Sequence, residues 1–247
     1  MNRFKKITLF VTALAVCVGA SAQKDLLISG GNTVSSLVCA NSWVYVAGMN
    51  KDQDGDNILG LPSTDPAYGT AQATTWSKVE FPADGQGRLR NNISQVNSGS
   101  GASFVALDCF GQVWGWGKND YGQTGVGSDN PRVISVPTQV TLKQGSNTSP
   151  LYGTEYDDGH GHLANVEVVY AGNANAFAIL GPGQYEGRVV AWGGNLANDN
   201  FTSCLGTGSN AQAFVPTFCK DLQGNYMTDA IRIFSGDHVT MILKSDG

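Results

Sequence analysis

The chain has 247 residues, of which 32 are glycine, and it is only 14% charged with a formal net charge of −5. Short apolar runs between glycine-rich turns, without any long amphipathic period, point away from helices and towards an all-β fold of ample core size. No cluster of Lys and Arg is present, which argues against a surface for nucleic-acid phosphates.

Arg3, Lys5 and Lys6 lead into an uncharged apolar run, Ile7 to Ala20, closed by the small-x-small triplet Ala20-Ser21-Ala22. This pattern predicts a cleaved signal peptide over residues 1–22 and a mature domain over 23–247. The run is short of the ~20 residues that span a bilayer core. Val16 is too bulky for the usual lipobox ahead of Cys17. The expected location is therefore secreted, periplasmic or cell-surface, with no integral membrane segment after cleavage. Losing the leader removes three positive charges and moves the net charge from −5 to −8. Cys39, Cys109, Cys204 and Cys219 remain, an even number in an oxidising compartment. Cys204 with Cys219 is the preferred disulfide, since both lie in one inter-strand excursion; buried free thiols are the alternative.

A unit then recurs four times. It opens with a β-type run and a glycine: Leu27-Ile28-Ser29-Gly30, Gln95-Val96-Asn97-Ser98-Gly99, Val168-Val169-Tyr170-Ala171-Gly172 and Ile233-Phe234-Ser235-Gly236. A second apolar strand ends at Val38, Leu107, Leu180 and Leu243, and a turn follows. The third strand reads Val44-Tyr45-Val46-Ala47-Gly48, Val113-Trp114-Gly115-Trp116-Gly117 and Val189-Val190-Ala191-Trp192-Gly193. Asn50, Asn119 and Asn195 each stand two residues beyond. Loops containing Leu59-Gly60, Thr124-Gly125 and Leu205-Gly206 come next, and then strands bearing Pro137 and Pro216. One small sheet cannot bury both its faces, so neighbours must stack about a common axis.

From Gly111 to Gly127 the order of turn Gly, Val-Trp, Trp-Gly, Asn, Gly-Gln and Gly-x-Gly resembles the regulator-of-chromosome-condensation repeat almost throughout. Val189 to Gly208 matches with Asn198 and Asp199 in place of Gly-Gln. The first unit has Ala47 for the Trp and an acidic insert for Gly-Gln. The resemblance implies a β-propeller of seven blades, of which about three complete ones and a partial one are present. The chain stops at Asp246-Gly247, inside a hairpin turn, so the sequence reads as the N-terminal part of a longer protein. Such proteins act mostly through protein contacts. Nucleotide exchange on a Ran-type GTPase does not carry over, because the leader exports the chain and the basic tail is absent. The leader and the Gly/Asn-rich repeats resemble those of Gram-negative, Bacteroides-type exported proteins.

Motifs for chemistry are scarce. There is no Gly-x-Ser-x-Gly elbow, no phosphate-binding Gly-Lys-Ser/Thr and no His-Glu-x-x-His. The pair Asp237-His238 falls within a repeat and has no nucleophile placed beside it. Asn50, Asp52, Asp54 and Asp56 carry oxygens at alternate positions ahead of and after Gly55, like the first half of a calcium loop. Leu61 stands where that loop needs its bidentate Glu, and a solvated polar loop is the competing reading. Asp157, His160 and His162 could ligate a transition metal, against a mobile hydrophilic connection. Trp43, Trp76, Tyr121 and Phe201 fall in turns or connections where they could reach solvent.

Three functions remain open on these residues. The first is a non-catalytic scaffold, needing no cofactor beyond the calcium option, that binds an unidentified protein through long rim loops at 51–92, 128–165 and 196–226. The second is a carbohydrate-binding or adhesive surface protein. The third is a hydrolase or lyase carried on a propeller.

Overall fold

The computed structural model describes residues 27–83, 92–195, 205–235 and 239–247. The expected leader, Asn198, Asp199, Phe201, Cys204, Gly236 and the Asp237-His238 pair lie outside these residues. The described residues form strands and turns without a helix, so none is long and apolar enough to cross a membrane.

Three antiparallel meanders account for most of the chain. Sheet one orders β1 (Leu27–Gly30), β2 (Val34–Val38), β3 (Val44–Met49) and β4 (Gln72–Lys78). Sheet two orders β5 (Ile93–Ser98), β6 (Ser103–Asp108), β7 (Val113–Lys118) and β8 (Val133–Gln139). A short hairpin of β9 (Lys143–Gln144) and β10 (Asn147–Thr148) is inserted after it. Sheet three orders β11 (Val166–Ala171), β12 (Asn175–Leu180), β13 (Val189–Gly193) and β14 (Ala213–Phe218). The pair β15 (Ala230–Ser235) and β16 (Thr240–Lys244) begins a fourth.

The first strands β1, β5, β11 and β15 lie next to one another in succession, which is the arrangement of blades around a propeller axis. They are stitched together by side chains. The Ser29 hydroxyl accepts from the Ser98 amide at 3.1 Å, and the Gln95 side chain both donates to the Glu167 carbonyl at 2.9 Å and accepts from the Val169 amide at 3.2 Å.

No sheet owns its core. One apolar cluster joins Val44, Val46 and Ile58 of the first unit to Phe104 and Trp116 of the second. Another joins Val105 and Leu107 of the second unit to Val190 and Trp192 of the third. At each joint an indole reaches back into the preceding unit's loop. Trp116 Nε1 donates to the Leu59 carbonyl at 3.2 Å, and Trp192 Nε1 to the Gln123 carbonyl at 3.1 Å. A Cβ on Gly60 or Gly125 would come within 2.8 Å or 2.9 Å of these rings, so the loop residue facing the indole must be glycine.

Asn50, Asn119 and Asn195 are buried and hold those loops in shape. The amides of Leu59, Thr124 and Leu205 each donate to the side-chain oxygen of the Asn that opens the same loop, at 3.3 Å. The Asn nitrogen donates to the loop's far side, for example to Ser128 and Pro131 carbonyls at 2.9 Å from Asn119. Three-unit recurrence of this Asn thus reflects a backbone clamp.

The inner turns differ in one respect from the sequence reading. Gly31 takes the place expected for Gly30, since Gly31, Gly99 and Gly172 donate their amides across equivalent turns to Val34, Ser103 and Asn175. Here neighbouring backbones touch: a Cβ on Gly31 would fall 2.1 Å from the Gly99 carbonyl oxygen, and one on Gly99 1.8 Å from that of Gly172.

In the first unit the β2–β3 turn closes with the Ser42 amide on the Cys39 carbonyl at 2.8 Å, and Ser42 carries φ 62°. Gly111 holds the equivalent place in the second unit with φ 78°. The left-handed region costs a residue with a Cβ roughly 1 kcal/mol. Ser42→Gly is therefore expected to stabilise the protein by about 0.5–1 kcal/mol, measured as a rise in the denaturant midpoint.

Candidate functional site

The stretches with metal-ligand spacing fold as capped turns. Asp52 Oδ1 accepts from the Asp54 amide at 3.0 Å and the Asp56 amide at 2.8 Å, while Gly55 takes φ 86°. Asp158 Oδ1 accepts in the same way from His160 at 2.8 Å and His162 at 3.1 Å, with Gly161 at φ 86°. Asp108 and Asp221 repeat it, with Gly111 and Gly224 in the left-handed place. The shared Asp-x-x-Gly-x pattern is a five-residue turn in which the carboxylate caps two amides.

Within this frame the candidate residues are separated. The Asn50 side chain is spent on the buried loop clamp, and the Asp54 carboxylate lies 3.6 Å from Arg132, which also binds Asp120 at 2.6 Å. Asp56 is exposed. Asp157 accepts three backbone amides, from Gly153, Gly159 and Gly161, each at 2.9 Å. The His162 ring faces Asp158 at 3.1 Å, and His160 is exposed. Among the described residues no three His, Cys, Asp or Glu side chains converge on a point that could hold a metal ion. Burial alone would raise the Asp158 carboxyl, but the amides of His160 and His162 and the His162 ring outweigh it and hold the group below its usual range.

Cys219 is a buried free thiol whose Sγ donates to the Leu205 carbonyl at 3.2 Å. It follows β14 as Val79 follows β4 and Val140 follows β8, each donating its amide to the opening residue of the third strand. An apolar position explains the cysteine without a disulfide. Burial pushes its thiol up to about 12, whereas Cys39 is exposed. With intact protein at mildly alkaline pH, Cys39 is expected to react with a maleimide rapidly and Cys219 only after unfolding, read by peptide mass mapping.

A row of aromatic rings forms where the β12–β13 turn meets the segment after β14. Tyr156 and Tyr185 are stacked at 5.7 Å, Tyr185 meets Phe218 edge-on at 5.1 Å, and Phe218 meets Tyr226 at 4.8 Å. Tyr156 anchors the row from below. Its hydroxyl donates to the Gly181 carbonyl at 3.1 Å and accepts from the Tyr185 amide at 3.0 Å. Burial pushes its phenol above the ordinary range, with the Tyr185 amide opposing.

Arg188 lies across this row, its Cζ 4.8 Å from the Tyr185 ring, 4.9 Å from Tyr226 and 5.6 Å from Phe218. Among the described residues it forms no ion pair. Tyr226 is exposed, and Leu222 at the neighbouring turn tip is fully so. Sequence reasoning missed this group because its members come from four separate segments. Of the aromatics expected at the surface, Trp76 and Tyr121 are exposed, and Trp43 lies half-buried under Lys78 Nζ at 3.3 Å.

Residues 111–149 match the regulator of chromosome condensation (RCC1) repeat. Protein pim1 of Schizosaccharomyces pombe is 30% identical over 170 residues, which cover 63% of this chain and 26% of pim1. The crystal structure of Prp20p from Saccharomyces cerevisiae, described with its binding to Gsp1p and histones, is similar with a TM-score of 0.56 at 18% identity, covering 89% of this chain and 44% of that one. Yeast RCC1 (Prp20) bound to Kap60 gives 0.54 at 16%, covering 89% and 42%. The chain thus spans about a quarter of pim1 and under half of the Prp20 chains. At these identities the structural likeness is one of fold.

Proposed function

We propose that this chain, built from RCC1-type repeats on a β-propeller fold, is an exported, non-catalytic scaffold that recognises a partner protein through its rim. The observation that carries the reading is Arg188 laid across Tyr185, Phe218 and Tyr226 on a turn held rigid from below. Tyr and Arg on a rigid support are the residue types that dominate protein interfaces, because they bring large contact area at little entropic cost. The guanidinium has its faces occupied by rings and its edge N–H groups available for a partner's carboxylate. The fold relative Prp20 is itself described with protein partners, Kap60 in one structure and Gsp1p and histones in the other. Export rests on the leader Arg3 to Ala22, and the absence of catalysis rests on a sequence without a catalytic motif.

The test is affinity capture by the intact protein and by Arg188→Ala and Tyr226→Ala variants. A protein retained by the parent is expected to bind each variant at least about tenfold more weakly, the scale of one interface anchor. Equal retention by all three would remove this surface as the contact. Retention of sugars with no protein would remove the reading altogether.

A further inference from the structure

A cleft of about 370 Å³ opens between the β9–β10 hairpin and β14, the outer strand of the third sheet. Its position is fixed by one buried bond: the Ser149 hydroxyl, just after β10, donates to the Pro216 carbonyl of β14 at 2.6 Å. One wall carries Asn147 and Thr148, the other Thr207, Gln212 and Thr217, and among the described residues no charged side chain lines it. Phe214 adds a half-buried ring, seated against Gly122 of the second unit.

These walls select by chemistry. Without a cation or a carboxylate among the described residues they carry no charge to complement an anion, a metal or an amine. Amide and hydroxyl groups donate and accept from the same small volume, which suits a ligand whose own groups do both. Among the described residues the side chains of Asn147, on one wall, and Gln212, on the other, make no hydrogen bond, so both remain for a ligand. A ring beside them gives the apolar surface against which the C–H face of a pyranose rests. The volume lies at the low end of the ~300–1,000 Å³ usual for small-molecule sites. A peptide joining the sheet edge fits less well, because Pro216 interrupts the amides of β14 and its carbonyl is already taken by Ser149.

We infer that this cleft binds a neutral mono- or disaccharide, with Asn147 and Gln212 as hydrogen-bonding arms and Phe214 as the stacking surface. The site is separate from the Arg188 surface and stands independently of the protein-recognition reading.

The experiment uses the whole mature protein and a panel of neutral disaccharides (maltose, cellobiose, lactose and N,N′-diacetylchitobiose), with glucuronate and glucosamine as charged comparisons. Binding is followed by saturation-transfer NMR and titration calorimetry. At least one neutral sugar is expected to bind saturably in the millimolar range or tighter, and neither charged sugar comparably. Asn147→Ala combined with Gln212→Ala should weaken that binding at least about tenfold, the scale of two lost hydrogen bonds, with an unchanged thermal midpoint because both side chains are exposed. Phe214→Leu, which retains apolar bulk, should weaken it several-fold. No saturable neutral sugar, preference for a charged one, or binding indifferent to the paired substitution would each overturn the inference.

Discussion

Trp192→Ala is expected to lower stability by about 3–5 kcal/mol, read as a large drop in the denaturant midpoint. Two losses combine. The indole is wholly buried at the joint between the second and third sheets, so its removal leaves a cavity that the surrounding strands cannot fill. The Gln123 carbonyl also loses the donor it holds at 3.1 Å. Trp192→Phe separates the two, keeping most of the apolar volume while removing the N–H, and should cost about 1–2 kcal/mol more than the volume change alone. Trp116→Ala should behave alike at the preceding joint, where the ring is stacked on Phe104 at 5.0 Å and meets Phe81 edge-on at 5.6 Å. An alanine variant that unfolds at the parental midpoint would show that the indole does not hold the sheets together.

Gly99→Ala should be similarly severe for the opposite reason, crowding where the tryptophan change empties. The added methyl would lie 1.8 Å from the Gly172 carbonyl oxygen, which belongs to the backbone of the next inner turn. Backbone cannot rotate aside as a side chain can, so two turns at the axis must separate. A cost of about 3 kcal/mol or more is expected. Gly206→Ala provides the contrast: φ is 65° there, yet nothing lies within 4 Å of the new Cβ. Only the strain of the left-handed conformation is incurred, about 1 kcal/mol. If both glycines proved equally replaceable, close approach at the axis would not be what requires Gly99.

The blade order is readable in the sequence because each strand has its own marker. Val-x-x-Trp-Gly, the Asn two residues later and the Gly after Leu or Thr recur, and contacts explain Trp116, Trp192, the three Asn, Gly60 and Gly125. The shift from Gly30 to Gly31 could not be read so easily. Both are glycine, and only the contact with the neighbouring turn distinguishes them. The metal-like spacings allow two readings for a physical reason, since an oxygen that caps a turn and an oxygen that ligates a cation stand at the same sequence interval. Comparing Asp108-Cys109-Phe110-Gly111 and Asp221-Leu222-Gln223-Gly224 with the acidic stretches would have suggested the cap, since neither carries an acidic run. The Arg188 surface left no such trace. Tyr156, Tyr185 and Tyr226 are far apart along the chain and meet only once three connections have folded.

Because Trp116 and Trp192 point backwards, a sheet arrives during synthesis with its outer loop still unsealed. The following stretch must appear before that loop gains its ring and its shared interior. Order therefore advances one step behind synthesis, and the newest portion always exposes apolar surface. Whatever shields the chain while it is being made would be needed longest at the part synthesised last.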